Sequence, residues 1–144
     1  LKIAPEFIAD LSDDEAAAFA DFLEMLKAAT GPVSGPGYSR KIEDVVENAF
    51  TVEPEARLIV TEGNYLLLAN SPWWRIRPRL DLAVFISVPR DLARMRLLRR
   101  HAEEGLFTEE RNSDHVERVD LANYDLVQRS RSRADVAIDL ITES

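Results

Sequence analysis

The chain has 144 residues and a net charge of −8, with two histidines and no cysteine. This length is sufficient for one domain with its own hydrophobic core. The lack of cysteine excludes thiol catalysis, disulfide bonds and cysteine-ligated zinc, and with only two histidines the sequence argues against a zinc site of any kind. No apolar run is long enough for a membrane span and no leader opens the chain, so the sequence predicts a cytoplasmic protein.

The charge is distributed unevenly along the chain. Residues 1–64 contain 13 acids and five bases, whereas residues 65–144 contain 13 of each, and all bases in the second part are arginines. Overall acidity argues against general nucleic-acid binding, but clustered arginines favour a small polyanion such as a nucleotide phosphate. Alternatively, the arginines only solubilise helix faces.

A first helix is predicted over Ser12–Ala29, because it opens with an S-x-x-E capping box and precedes a Gly-Pro pair. Its core-facing stripe comprises Ala16, Phe19, Leu23 and Leu26.

The glycine- and proline-rich segment 31–37 predicts a loop. It is not a phosphate cradle, because prolines remove the backbone N–H groups that such a loop needs. Tyr38, Arg40 and Asp44 follow it closely. They predict either a binding site for a polar substrate or the start of a solvated helix.

The apolar run Leu58–Thr61 predicts a strand covered on both faces, as in a parallel α/β sheet. Glu62 falls where this strand leaves the sheet, and Gly63 permits a sharp turn or close approach of a ligand. Ligands bind at the carboxyl ends of such strands, which makes Glu62 a candidate site residue. Alternatively, Glu62 caps a helix or faces solvent.

Residues 69–79 predict a loop with a short helical turn, and Leu82–Val88 predicts a second buried strand. A helix should follow over residues 89–104, between Pro89 and Gly105. Its predicted apolar stripe is Leu92, Met95, Leu98 and Ala102. Positive charge lies on both flanks of this stripe, with Arg96 and Arg100 on one side and Arg90, Arg94 and His101 near the other.

A third helix is predicted over residues 113–128, with Val116, Val119, Leu126 and Val127 in the core. Asn123 lies on the same stripe, where an amide requires a hydrogen-bond partner or a ligand. Asp120, one turn earlier, is its predicted partner, in a bond that is either structural or functional. A last strand follows over residues 135–140, and the alternation of strands and helices predicts a parallel α/β fold.

Three segments together resemble the P-loop nucleoside-kinase-like family, which includes uridine kinases, bacterial pantothenate kinases and related sugar or small-molecule kinases. They are EGNYLLL, D-L-x-x-F-I-x-V-P-x-x-x-A-R-x-R-L-x-R-R-H and V-x-x-x-D-L-x-N-x-x-L-V, and the resemblance covers about residues 20–140. It implies a three-layer parallel sheet of P-loop kinase type, incomplete at the amino-terminal side. It further implies a single, partial kinase-like domain over residues 1–144, with an arginine-rich helix and lid-like region over 89–128.

The resemblance also implies roles for individual residues. Glu62 would lie beside the Mg²⁺-nucleotide and the acceptor hydroxyl, as a catalytic residue and metal ligand. The predicted ATP-phosphate contacts are Arg96, Arg99, Arg100 and His101. The predicted acceptor contacts are Tyr38, Arg40, Asp44, Asp120 and Asn123. The implied reaction transfers the γ-phosphoryl group of ATP to a hydroxyl of a nucleoside, pantothenate-like compound or sugar, a chemistry that demands positioning and charge neutralisation.

One element of the family is missing from the sequence. No Walker A motif, G-x-x-x-x-G-K-S/T, occurs in residues 1–144. We therefore expect a catalytically incomplete chain, either a family member whose amino-terminal part lies outside these residues or, second, a genuine shortened homologue. The alternative function is a non-catalytic binding or regulatory homologue. The expected partners are a nucleotide and a small acceptor, without nucleic acid or membrane; the oligomeric state is left open, with a homodimer as one option.

Overall fold

The computed structural model describes residues 13–39, 44–105 and 108–141. The chain divides into two compact units, Leu1–Asp81 and Leu82–Ser144, and each is described by itself. The single domain that the sequence predicts stays a prediction. Among the described residues, no helix is both long and apolar enough to cross a bilayer.

The first unit consists of a helix, a hairpin and two short helical turns. Helix α1 spans Asp13–Ala28, and strands β1 (Val33–Ser39) and β2 (Asp44–Val52) pair antiparallel. The turns of 3₁₀ helix follow at Trp73–Arg75 and Arg77–Arg79. Both the first helix and the short helical turn are confirmed, although Ser12 of the predicted capping box lies outside the described residues.

Helix α1 forms one wall of the core of this unit. The predicted stripe is confirmed, because Ala16, Phe19 and Leu23 are buried and Leu26 packs against the same cluster. The other side of the core is formed by buried apolar residues that follow the hairpin, namely Leu66, Leu68, Trp73 and Ile76. Acidic residues fill the first turn of α1, where they complement the helix dipole.

The prediction of a loop over residues 31–37 is wrong, because most of this segment belongs to β1. A Cβ atom on Gly35 would lie 2.6 Å from the Phe50 ring and 2.9 Å from the Phe22 ring. Glycine is therefore required here for close packing rather than for a turn. The strand pairing shifts between Gly35 and Gly37, around Pro36, whose missing N–H cannot join the ladder.

The prediction of a buried strand over Leu58–Thr61 is also wrong for the described chain. The segment contains only a single bridge residue, Val60, and Leu58 is 62% exposed. Burial of the apolar residues begins later, at Leu66. An apolar run is buried on two faces only if other elements cover it, and the run itself does not specify those elements.

The second unit contains two strands joined by helices. Strand β3 (Val84–Ser87) pairs in parallel with β4 (Val136–Asp139), with Val84 opposite Val136. Between them lie α2 (Arg90–Glu104), α3 (Glu109–His115), a π-turn (Val116–Asp120), α4 (Leu121–Gln128) and a 3₁₀ turn (Arg131–Arg133). This arrangement confirms the predicted α/β fold with parallel strand pairing.

The strand register is held by the residue before β4. The backbone N–H of Ala83 donates to the Asp135 Oδ2 atom at 2.7 Å, and the Asp135 N–H donates to the Ala83 carbonyl at 2.9 Å. The Tyr124 hydroxyl donates to the Val88 carbonyl at 2.6 Å. This bond connects α4 to the end of β3.

The second strand is buried on one face rather than on both. Phe85 and Ser87 are buried, whereas Val84 and Ile86 are exposed. Helix α2 differs from prediction in a similar way: Leu92 and Leu98 of its stripe are half-buried, and Met95 and Ala102 are exposed.

The third helix begins earlier than predicted and is interrupted by the π-turn. Val116 is buried as predicted and Val127 is half-buried, but Val119 and Leu126 are exposed, and Leu121 is fully buried instead. A π-turn takes more residues per turn than an α-helix, so the residues beyond it rotate to a different face. The uniform helical spacing assumed from the sequence therefore fails after Val116.

Candidate functional site

Helix α2 carries the candidate phosphate-binding arginines of the second unit. It starts after Pro89, directly beyond strand β3, and ends at Gly105, whose φ of 64° lies in the left-handed region. Proline before the first turn and glycine after the last turn define both ends locally. The helix thus presents a row of arginines that begins at the carboxyl end of a parallel strand, where ligands bind in α/β folds.

One set of α2 arginines is neutralised within the unit. The Arg90 Nε atom lies 3.2 Å from an Asp125 carboxylate oxygen, and the Arg94 Nε atom lies 2.5 Å from one of Glu117. The hydrogen bond to Asp125 raises the pKa of Arg90 above its ordinary value. These two arginines therefore connect α2 to the helices that follow it.

The other set of α2 arginines is not neutralised by described residues. Arg96 is half-buried, and Arg99 and Arg100 are exposed. Among the carboxylates whose side chains the structure describes, which leaves out those of Asp44, Glu47 and Glu104, none forms an ion pair with any of the three. Their guanidinium groups can bind an external polyanion without breaking an internal ion pair.

Unlike these three arginines, His101 has a carboxylate partner within the unit. Its Nε2 atom is 2.9 Å from the Asp120 Oδ2 atom, and both side chains are largely buried. Asp120 was predicted to bond Asn123, and it bonds His101 instead. The reason is the π-turn, which ends at Asp120 and directs this carboxylate to α2. His115 completes the cluster, with its Nε2 atom 4.0 Å from the Asp120 Oδ1 atom.

Glu62 is exposed in an irregular segment of the first unit. A Cβ atom on Gly63 would lie 3.1 Å from the Leu66 side chain. The close approach at Gly63 is therefore made by Leu66, a buried residue of the core.

The candidate acceptor residues belong to two different units. Tyr38 pairs with Val45, and Asp44 with Ser39, in the β1–β2 hairpin of the first unit. Arg40 lies outside the described residues. Asn123 is a half-buried residue of α4 in the second unit. The structure brings Asp120 together with His101 but leaves the acceptor assignments as predictions.

Two arginines near the tryptophan pair have structural partners. Arg75 and Arg79 form ion pairs with Asp21 and Glu24 of α1. Trp73 is buried against Tyr65, with ring centroids 5.4 Å apart in an edge-to-face arrangement. These residues hold the first unit together.

Sequence reasoning missed a cavity of about 530 Å³ in the second unit. It is lined by Arg94, Leu98, Ala102, Glu109, Asn112 and Ser113. It was missed because the third helix was expected to start at residue 113. A local signal for the true start was present, since Thr108 precedes two acidic residues and its hydroxyl accepts from the Arg111 N–H.

Comparisons with known proteins agree with this fold. No family model matches the chain. It is 32% identical over 109 residues to an ATP-dependent kinase-like protein of Aspergillus versicolor, covering 75% of this chain and 63% of that protein. It is 30% identical over 126 residues to a provisionally assigned uridine kinase of Schizosaccharomyces pombe, covering 86% of this chain and 54% of that one.

Solved structures show the same similarity. A provisionally assigned fructose transport system kinase from Silicibacter sp. TM1040 aligns with a TM-score of 0.76 and 26% identity, over 86% of this chain and 59% of that one. YFH7 from Saccharomyces cerevisiae, a provisionally assigned P-loop kinase with a circular permutation, aligns with a TM-score of 0.63 and 20% identity. The alignment covers 78% of this chain and 36% of YFH7, and at that identity it shows the fold alone. The chain thus spans between about a third and two thirds of the length of these proteins. Its relatives and structural neighbours are kinase-like proteins, and together with the parallel strand pairing they support a P-loop kinase-like family for this chain.

Proposed function

We propose that the chain is part of an ATP-dependent small-molecule kinase that transfers the γ-phosphoryl group to a hydroxyl group. The proposed acceptor is a nucleoside, a pantothenate-like compound or a sugar. Relatives named as an ATP-dependent kinase-like protein and a uridine kinase support the reaction class. The cytoplasmic location and the single kinase-like domain are part of the same proposal.

The observation that carries the proposal is the unneutralised set of arginines on α2. Arg96, Arg99 and Arg100 have no ion-pair partner among the described carboxylates, while Arg90 and Arg94 on the same helix are paired with Asp125 and Glu117. Phosphoryl transfer is accelerated mainly by groups that hold phosphate oxygens and offset the charge on them. Planar guanidinium groups fit this task because each can donate two parallel hydrogen bonds to a phosphate.

The magnesium ligand in the proposal is Glu62. Mg²⁺ is usually held by one or two carboxylates together with substrate phosphates, and the Glu62 carboxylate is exposed. When bound, Mg²⁺-ATP would supply the phosphoryl group to be transferred. The proposed acceptor contacts are Tyr38, Arg40, Asp44 and Asn123. The sequence also predicts His101 as an ATP contact and Asp120 as an acceptor contact. These two assignments stay predictions, since the two side chains bond each other.

A binding experiment with matched variants tests the role of α2. The double variant Arg96→Gln/Arg100→Gln and the control Arg90→Gln/Arg94→Gln each remove two charges four residues apart on one helix. An exposed ionic contact contributes about 0.5–1 kcal/mol, so the first variant should weaken Mg²⁺-ATP binding roughly 5- to 30-fold in calorimetry. The control should bind nearly as well as the parent chain. Equal losses in both variants would refute a specific role for the unneutralised set.

A turnover experiment tests catalytic completeness. The motif that holds the β- and γ-phosphates, Walker A, does not occur in residues 1–144. We therefore expect the purified 144-residue chain to show no turnover with Mg²⁺-ATP and a panel of nucleosides, sugars and pantothenate. Robust phosphorylation of any acceptor would contradict the expected incompleteness while supporting the kinase assignment.

Titration of the same chain with acceptors distinguishes a kinase from a non-catalytic binding homologue. The binding homologue should take up an acceptor with equal affinity in the presence and absence of ATP. In the kinase, ATP and the acceptor occupy adjoining positions, so saturating ATP analogue should change acceptor affinity. Calorimetric titrations with each acceptor, with and without a non-hydrolysable ATP analogue, separate the two functions.

A further inference from the structure

The cluster formed by His101, His115 and Asp120 in the second unit is a separate feature from the arginines of α2. Each of the three residues offers one ligand atom, and these atoms all lie within 4.8 Å of one another. The two imidazole rings are in edge-to-face contact, with centroids 5.5 Å apart. We propose that these three side chains bind a divalent transition-metal ion, with Zn²⁺ as the best-fitting ion.

The local backbone explains why two of these ligands share a face. His115 and Asp120 are five residues apart, and in a regular α-helix they would point about 140° away from each other. Residues 116–120 instead form a π-turn, whose wider turn brings residues five apart towards the same side of the helix. The π-turn thus directs both side chains towards His101 at the end of α2. Such turns inside helices are rare and frequently occur at functional sites.

The ligand set selects the class of metal. Two imidazoles and one carboxylate suit Zn²⁺ and its neighbours, whereas Mg²⁺ and Ca²⁺ require oxygen ligands. Three protein ligands also leave the fourth tetrahedral position open for water or an external ligand. The cluster is therefore unsuited to the magnesium of a kinase and would hold a different ion.

The distances are close to those that a bound ion requires. Ligand atoms at about 2.0–2.1 Å from a tetrahedral ion lie roughly 3.3 Å from each other. The His101 Nε2 atom lies 2.9 Å from the Asp120 Oδ2 atom, the His115 Nε2 atom lies 4.0 Å from the Asp120 Oδ1 atom, and the three ligand atoms, one per residue, all lie within 4.8 Å of one another. Binding of one ion would therefore change these separations by at most about 1.5 Å, which side-chain rotation can supply. The hydrogen bond between His101 and Asp120 would then be replaced by two metal bonds.

A bound ion would connect the end of α2 to the π-turn. It would stabilise the second unit by binding the folded state, and it would occupy both His101 and Asp120. Those two residues would then act as metal ligands rather than as contacts to ATP or the acceptor. The assignment does not depend on kinase activity.

The test is calorimetric titration of ZnCl₂ into the 144-residue chain produced without a histidine tag. We expect one Zn²⁺ per chain. The variants His115→Gln and Asp120→Asn should each weaken binding at least about tenfold, the loss seen even for partners of metal ligands. Asp114→Asn is the matched control, because Asp114 is an exposed acid next to His115. The control should bind as the parent chain does.

A second measurement does not rely on the variants folding. The chain contains two histidines, both in this cluster, so its imidazole NMR signals report on the site alone. One equivalent of Zn²⁺ should shift both sets of signals, and the Tm of the chain should rise by several degrees at saturation. Unchanged imidazole signals, or equal Zn²⁺ affinity in His115→Gln and the parent chain, would overturn the proposal.

Discussion

Shortening Leu68 to alanine should destabilise the first unit far more than the same change at Leu58. Leu68 is 7% exposed and belongs to the core that packs on α1, whereas Leu58 is 62% exposed. The two residues have the same side chain, lie in the same unit and are close in sequence. The comparison therefore isolates burial as the variable.

The expected magnitudes follow from the area removed from water. Each leucine loses three carbon atoms, worth about 0.8 kcal/mol apiece when fully buried. At Leu68 this gives about 2.2 kcal/mol, and the cavity left behind raises the loss to about 3 kcal/mol. At Leu58 the same scaling gives at most about 0.9 kcal/mol, with no cavity, and compact unfolded chains reduce it further. The free energies of unfolding of the two variants should therefore differ by about 2 kcal/mol.

Urea unfolding followed by tryptophan fluorescence measures this difference, because Trp73 is buried in the same core. The slope of the free energy against urea should be the same for both variants. Equal losses of about 3 kcal/mol would refute the reasoning. Such a result would mean that Leu58 is buried in the folded protein, as a strand covered on both faces requires.

Two further predictions concern single interactions. Gly105→Ala should lower the free energy of unfolding by about 1 kcal/mol, because an alanine is strained at a φ of 64°. Gly31→Ala is the control and should be nearly neutral, since an added Cβ has nothing within 4 Å at either position. Equal urea midpoints for the two variants would contradict this prediction. Hydrogen bonds from Arg131 lower the pKa of Asp139, so this pair contributes stability above the unfolded pKa of about 3.9 that is lost as the pH falls through the lower folded value. In an NMR titration Arg131→Gln should return the Asp139 midpoint towards 3.9, and an unchanged midpoint would assign the shift to another cause.

The parts of the fold that sequence predicted well have local causes. Helix α2 could be placed because Pro89 and Gly105 mark its ends with their own backbone preferences. The final strand could be placed because its apolar residues follow a polar turn. In both cases a few neighbouring residues suffice, so no knowledge of distant contacts is required.

The parts that sequence predicted wrongly depend on distant contacts. Gly35 and its neighbours resemble a loop, yet they form a strand that pairs with β2, and a glycine is needed there because the rings of Phe22 and Phe50 occupy the space that a side chain would fill. Leu58 resembles a strand residue, yet its exposure depends on which elements cover it. Both strand formation and exposure therefore depend on contacts with residues outside the segment.

The charged flanks of α2 depend partly on local sequence and partly on distant contacts. Sequence spacing correctly divides the positive residues into one flank with Arg96 and Arg100 and another with Arg94 and His101, because helical periodicity is local. It does not reveal which flank meets carboxylates. The π-turn decides this, since it contains Glu117, the partner of Arg94, and Asp120, the partner of His101. One backbone irregularity therefore supplies the partners of Arg94 and His101 and assembles the histidine cluster, while Arg90 on the same flank pairs with Asp125 of α4.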